Sequence, residues 1–189
     1  MSMLLHACCG PCAMFPVDDL LKSGEDIVLY WNNPNIHPEY EWNRRLINLR
    51  KVAQYYGIEL VEEGSCQEEY WKSREYLNEF SSRCAMCYDV RLDATAKFAS
   101  ENGFDSFCTT LLVSPYQQHE VITNTAERKA SEYNVRFDYH DFRPGFREGQ
   151  NMAREIGLYR QKYCGCTFSL DESKFKDKIL KSFESPLSL

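Results

Sequence analysis

The chain of 189 residues carries a net charge of −6 and is 43% apolar, which suits one ordinary globular domain. The negative charge argues against a protein that coats nucleic acid by bulk electrostatics, although a local basic patch could still hold one RNA. No apolar run approaches the roughly 18 residues that span a bilayer, and the N-terminus lacks the basic region of a signal peptide, so we expect a cytoplasmic protein.

Short apolar strands alternate with longer amphipathic helices along the chain. In chain order, the pattern predicts strand 3–7, helix 12–23, strand 27–31, helix 39–56, strand 58–62, helix 67–79, helix 87–102, strand 106–110, helix 116–133, strand 135–139, a polar loop at 141–149, a short helix that reaches Gly157, and a last helix at 171–183. Pro16 fits the first of these helices only near its first turn.

Strands joined by helices of this length pair in parallel through right-handed crossovers. We therefore predict a single α/β domain over residues 1–189, with a doubly wound, mostly parallel sheet in three α/β/α layers. Residues 170–189 are its predicted C-terminal helix and tail. Sites in such folds lie beyond the carboxyl ends of the strands, where loops from distant parts of the chain converge.

Seven of the nine cysteines fall into three groups. The first cysteine group (Cys8, Cys9 and Cys12) follows the first predicted strand, the second (Cys84 and Cys87) opens a predicted helix, and the third (Cys164 and Cys166) lies between two helices. Thiols stay reduced in the cytoplasm, so metal binding is a better expectation than disulfides. For the first and second groups, a helix N-terminus is expected to lower the thiol pKa. Cys66 and Cys108 stand apart, and we interpret them as small packed residues.

The number of thiols distinguishes between candidate metals. Structural zinc takes four ligands, and seven candidates from three unlike groups exceed that number. Iron–sulfur clusters take cysteine thiolates as their normal ligands. The spacing therefore favours a 4Fe–4S cluster, and the adjacent pair Cys8 and Cys9 leaves open a mononuclear iron beside it.

Five motifs, in order along the chain, resemble those of the QueH-type epoxyqueuosine reductases: LHACCGPC at 5–12, NPNIHP at 33–38, RCAMCYDVRL at 83–92, TTLLVSP at 109–115 and YRQKYCGC at 159–166. The resemblance implies a fold related to the adenine nucleotide alpha hydrolases. The cysteine-rich loop would stand where those proteins bind phosphate, so no ATP is expected. The resemblance also implies two-electron deoxygenation of epoxyqueuosine to queuosine at the tRNA wobble position, the last step of queuosine biosynthesis, with an external electron donor.

The resemblance assigns metal ligation to the cysteines, and positions along the chain suggest the other roles. Metal ligation falls to Cys8, Cys9, Cys84, Cys87, Cys164 and Cys166, whereas for Cys12 packing at a helix start is the alternative. Asp89 is a candidate catalytic group or iron ligand, and a carboxylate stabilising a helix N-terminus is the alternative. The candidate substrate-binding residues are Ser114, Tyr116, Gln117, His37, Arg143 and Arg160. Of these, Arg143 and Arg160 are candidate contacts to tRNA phosphates, together with Arg147 and Lys162.

Several alternatives remain open at this level. His6 is more simply a packed, hydrogen-bonded residue than a ligand. The basic residues Arg44, Arg45, Arg50 and Lys51 are interpreted as a solvated helix face. For the whole chain, the competing function is a zinc- or cluster-containing protein that binds or modifies tRNA without reductase activity.

Overall fold

The computed structural model describes residues 2–73 and 75–184, without the side chains of residues 76 and 77. Five parallel strands, β1 (Ser2–His6), β2 (Asp26–Trp31), β3 (Leu60–Glu62), β4 (Ser106–Thr109) and β5 (Arg136–Phe137), form one sheet in the order β3-β2-β1-β4-β5. Helices cover the sheet, so the α/β fold class predicted from the sequence is confirmed. All five predicted strands are present, and β3 and β5 are shorter than predicted.

The helices connect the strands and then close the carboxyl end of the sheet. They are α1 (Gly10–Lys22), α2 (Glu39–Tyr56), α3 (Glu68–Ser73), α4 (Arg83–Glu101), α5 (His119–Tyr133), α6 (Phe146–Glu155), α7 (Thr167–Asp171) and α8 (Lys176–Ser182), with 3₁₀ turns at Glu75–Asn78, Thr110–Val113 and Arg143–Gly145. None of the helices in residues 2–73 and 75–184 is long and apolar enough to cross a membrane. Residues 185–189 of the predicted C-terminal tail lie outside the described residues.

The prediction of a polar loop at 141–149 is wrong, because α6 begins at Phe146. Gly145 and Gly149 suggested loop flexibility, but the structure uses them for close packing against α1. A Cβ atom at Gly145 would lie 2.2 Å from the Phe15 ring, and one at Gly149 would lie 3.0 Å from the Phe15 Cβ. These glycines therefore let α6 approach α1.

Three other helix predictions need correction. The helix predicted at 87–102 begins one turn earlier, at Arg83, because the Ser82 hydroxyl accepts a hydrogen bond from the Ala85 amide at 3.2 Å and caps it. The helix predicted at 67–79 is divided into α3 and a 3₁₀ turn, and the helix predicted at 171–183 begins only at Lys176, since α7 ends at Asp171. Pro16 lies well inside α1 rather than near its first turn.

The strand order places a topological switch point between β1 and β4. Crossovers from β1 lead outward to β2 and β3, whereas the next crossover returns to β4 on the other side of β1. His6 at the end of β1 pairs in register with Thr109 at the end of β4. Ligands of doubly wound sheets bind beyond such a point, and the first cysteine group follows β1 directly.

Candidate metal centre

The first cysteine group forms the tightest sulfur cluster in the described part of the chain. The sulfur atoms of Cys8, Cys9 and Cys12 all lie within 4.8 Å of one another. Thr110, just past β4, accepts a hydrogen bond from the Cys8 amide at 3.1 Å, and Gln161 Nε2 donates to Cys9 Sγ at 2.8 Å. Hydrogen bonds from Cys12 and Cys9, opposed by burial, hold the pKa of Cys8 well below its usual value. Cys8 is therefore the thiol of this group that is prepared to carry negative charge. Burial raises the pKa of Cys9, and hydrogen bonds with Cys8 and Cys9 raise the pKa of Cys12, so the lowering expected from the helix N-terminus is wrong for these two thiols.

The second cysteine group lies in the first two turns of α4. Burial raises the pKa of Cys84, and it raises the pKa of Cys87 to about 11. The lowering that we expected from the helix N-terminus is therefore wrong for this pair, because desolvation of a thiolate outweighs it. Arg91, one turn further on, donates to Cys87 Sγ at 3.5 Å. A bound cation would supply the charge that these thiolates need.

The third cysteine group is held by backbone contacts to distant parts of the chain. Arg45 of α2 donates to the carbonyls of Tyr163 at 3.0 Å and Cys164 at 2.8 Å. The Cys164 and Cys166 sulfurs are 3.8 Å apart. A hydrogen bond from Cys166 to the Cys164 sulfur, opposed by burial, lowers the pKa of Cys164 to about 5. Gly165 between them has φ +126°, a conformation that favours glycine.

One cavity of about 390 Å³ brings the three cysteine groups together. Six cysteines contribute to its wall, namely Cys8, Cys12, Cys84, Cys87, Cys164 and Cys166. Cys9 is buried behind them, within 4.8 Å of the other two sulfurs of its group. Thiols from three distant segments around one cavity are the donor chemistry of a thiolate-bound metal. The residues present therefore fit a metal centre, and the Cys12 sulfur lies with those of Cys8 and Cys9.

The predicted substrate-binding residues divide into two sets. Ser114, Tyr116 and Gln117 line the cavity, as does Lys162. Tyr116 is 86% exposed and meets the ring of Phe146 edge-on, with 5.9 Å between the centroids. An exposed aromatic side chain beside a cavity is suited to stack on a nucleobase.

The remaining predicted residues do not line the cavity. His37 is buried, donates its backbone amide to the Gly165 carbonyl at 2.8 Å, and accepts from the Tyr163 hydroxyl at 2.6 Å through its own carbonyl. His37 thus supports the third cysteine group from behind. Arg143 is ion-paired with Asp141 at 2.7 Å, and Arg160 donates to Gln150 at 3.2 Å on the surface.

Asp89 is also outside the cavity. It lies in the second turn of α4 and faces α5, where it pairs with Arg128 and lies 3.7 Å from Lys129. That position is neither a ligand position at the cavity nor the first turn of a helix, so neither sequence-based interpretation of Asp89 describes its surroundings. His6 behaves as the simpler interpretation expected, with its ring nitrogens 2.8 Å from Thr109 Oγ1 and 3.3 Å from Asn33 Oδ1.

The sequence analysis did not identify two buried arginines of the site. Arg45 was interpreted as part of a solvated face, and that is wrong, because its side chain is 2% exposed and pairs with Glu41 at 2.7 Å. Arg91 is almost as deeply buried and lines the cavity. The signal for Arg45 was its amphipathic register, since it lies four and seven residues before the buried Leu49 and Val52. Arg50, which pairs with Glu62 at the surface, follows the expected pattern.

Comparison with known proteins adds an independent finding. A family model described as "Epoxyqueuosine reductase QueH" matches residues 3–172. Proteins named epoxyqueuosine reductase QueH are similar to this chain. That of Dehalococcoides mccartyi is 38% identical over 168 residues, which cover 88% of this chain and 91% of that protein. That of Thermotoga maritima is 36% identical over 186 residues, covering 93% of each. That of Streptococcus pyogenes is 32% identical over 179 residues, covering 89% and 70%.

Proposed function

Because this chain belongs to the epoxyqueuosine reductase QueH family, we propose that it reduces epoxyqueuosine to queuosine in tRNA at a metal centre held by the three cysteine groups. The observation that carries the proposal is their convergence on one cavity beside the switch point of the sheet. The reaction adds two electrons and two protons to the epoxide, releases the oxygen as water and leaves a carbon–carbon double bond.

The proposed cofactor is a 4Fe–4S cluster with a mononuclear iron beside it. Three observations support this choice. Cysteine thiolates are the usual ligands of such clusters, the seven thiols exceed the four that a single zinc takes, and the first group alone brings three sulfurs within 4.8 Å of one another. When bound, such a group supplies electrons and a Lewis acid for the departing oxygen.

Side chains of the chain itself would position the substrate. The ring of Tyr116 offers a stacking surface for the modified base at the cavity, and Ser114 and Gln117 offer hydrogen bonds beside it. Gln117 is oriented by Tyr88, whose hydroxyl donates to Gln117 Oε1 at 2.6 Å. The same hydroxyl accepts a hydrogen bond from the Gln118 amide at 3.2 Å, which holds Tyr88 in position beside Gln117.

The tRNA backbone would lie across the basic side of the cavity mouth. Lys162 lines the cavity, and its ammonium lies 5.3 Å from the centre of the Phe175 ring. Desolvation and the nearby Lys178 lower the pKa of Lys162, so a second cation lies close to it. Phosphate oxygens would relieve that repulsion. Arg143 and Arg160 remain predicted phosphate contacts further from the cavity.

Anaerobic metal analysis coupled to turnover tests the proposal. The purified protein is assayed for iron, zinc, acid-labile sulfide and visible absorption, and then for conversion of tRNA carrying epoxyqueuosine with a strong reductant. We expect about four irons with matching sulfide, an excess of iron from the additional site, and product. One zinc without sulfide or colour, even after reconstitution, would contradict the redox function and favour a zinc protein on the same fold. Full metal loading without turnover would favour a binding protein.

Single cysteine variants test the site itself. Cys87→Ala and Cys164→Ala each remove a thiol from the cavity wall, so we expect both to lose cluster absorption and turnover together. Cys66→Ala is the matched control, because Cys66 lies outside the cavity and donates only to the Ile36 carbonyl. If either cavity variant keeps the iron content and the turnover rate of the wild-type protein, the assignment of that cysteine as a metal ligand is wrong.

A further inference from the structure

We infer that Arg91 is the positive counter-charge of the metal centre, pairing with its thiolate sulfurs between the first and second cysteine groups. The inference rests on the proposed function, since it assigns a partner to the centre proposed there. Arg91 is 4% exposed and lines the cavity wall. Its role is exerted on the metal centre and not on the substrate, so it is a positioning residue rather than a catalytic one.

The guanidinium of Arg91 is incompletely paired within the described residues. One nitrogen, Nη1, donates to Cys87 Sγ at 3.5 Å. The other two, Nε and Nη2, are buried and have no hydrogen-bond partner there. Burying a charge without a partner costs a folded protein more than almost any other single feature, so a buried guanidinium with free donors indicates an anionic group that belongs beside it.

The other two arginines of the cavity wall provide the contrast. Arg45 is neutralised by Glu41 at 2.7 Å, and the pair of Arg83 and Glu172 is separated by 2.5 Å. In the part of the chain that the structure describes, Arg91 alone among the three has no carboxylate partner. Among the arginines of the cavity wall, the positive charge without a carboxylate is therefore that of Arg91.

The position of Arg91 identifies the partner. Arg91 lines the same cavity as Cys8 and Cys87, which come from different cysteine groups, and it donates to the Cys87 sulfur. Because Nε and Nη2 are buried, a resident group suits them better than an anion that diffuses through the cavity. A thiolate-ligated metal centre carries net negative charge on its sulfur atoms, and the fork of a guanidinium can donate to more than one sulfur at once, which an ammonium on a flexible stem does less well.

The test compares the effect of Arg91→Met in metal-loaded and metal-free protein under anaerobic conditions. In the metal-free protein, the substitution removes a buried, unpaired charge, so we expect Tm to rise or stay the same. In the loaded protein it removes the partner of the centre, so we expect Tm and bound iron to fall. Arg50→Met is the control, because Arg50 is an exposed residue paired with Glu62, and its small effect should be the same in both forms.

The reduction potential of the bound centre supplies a second measurement that remains available if the metal-free protein does not fold. Removing a positive charge beside a redox centre disfavours its reduced state, so we expect Arg91→Met to shift the potential downward and Arg91→Lys to shift it less. Equal Tm changes in both forms, or an unchanged potential in Arg91→Met, would overturn the inference. Absence of iron from the wild-type protein would instead contradict the proposed metal centre, and the inference with it.

Discussion

Replacing Arg45 with methionine should destabilise the protein far more than an equivalent change at the surface. Arg45 and its partner Glu41 are 2% and 0% exposed. Breaking a buried pair by removing one charge costs about 3–5 kcal/mol, since the other charge is left buried and unpaired. The Tyr159 hydroxyl, 3.2 Å from Glu41 Oε2, satisfies part of that carboxylate, so we expect about 3 kcal/mol rather than 5.

Urea unfolding measures this effect on protein samples of matched iron content. Arg50→Met is the matched control on the same helix, because Arg50 pairs with Glu62 at the surface, where a salt bridge is worth at most about 1 kcal/mol. The double variant Glu41→Gln with Arg45→Met removes both charges, so it should recover part of the stability lost in the single variant. A loss below about 1 kcal/mol for Arg45→Met, or strictly additive effects in the double variant, would refute the reasoning.

Three further predictions concern the site. Gly165→Ala should lose roughly 1–3 kcal/mol and reduce the iron content, because φ is +126° there and a Cβ would lie 3.1 Å from Arg45 Nη1. Gly157→Ala is the control for backbone strain: its φ is +71°, but it has open space around it and lies outside the cavity, so the iron content should not change. Tyr116→Ala should raise KM for tRNA about 5- to 150-fold, the equivalent of about 1–3 kcal/mol of stacking. Tyr55→Ala changes an exposed residue outside the cavity and should leave KM unchanged. If Tyr116→Ala has the same KM as the wild-type protein in steady-state assays, the stacking role is contradicted. Asp89→Asn should keep the iron content and the turnover rate within about twofold of the wild-type values, because Asp89 faces α5 and pairs with Arg128. A large loss of turnover with unchanged iron content would instead support a catalytic role for Asp89.

The local sequence was informative where a property depends on neighbours along the chain. Alternating apolar strands and amphipathic helices predicted the five-stranded parallel sheet, because each period follows from backbone geometry alone. The close spacing within each cysteine group predicted sulfur pairs, and the structure has Cys164 and Cys166 sulfurs 3.8 Å apart. From the rule for doubly wound sheets, the loops after the first and fourth strands and the C-terminal third of the chain were expected to meet. Cys8, Thr110 and Cys164 from these three segments line one cavity, and the second cysteine group joins them there.

Errors arose where a residue's role depends on what packs against it. Gly145 was interpreted as a loop residue, although its lack of a side chain serves the contact with Phe15, more than 100 positions away in sequence. Asp89 was placed at the site because it follows a cysteine motif, yet the rotation of α4 turns it toward α5. Spacing along a helix gives the relative direction of side chains, but only packing decides which direction faces the cavity.

The buried charges show most clearly the difference between what the local sequence predicts and what tertiary packing decides. Arg45, Arg50 and Arg91 are three arginines on predicted helices, and within the sequence only the helical register of Arg45 distinguishes one of them. The tertiary structure pairs Arg45 with Glu41, leaves Arg50 at the surface, and buries Arg91 beside Cys87. The sequence by itself determined which chemical groups the protein carries and in what order. Only the fold decided which of them lose their water, and the energy of a charge depends chiefly on that loss.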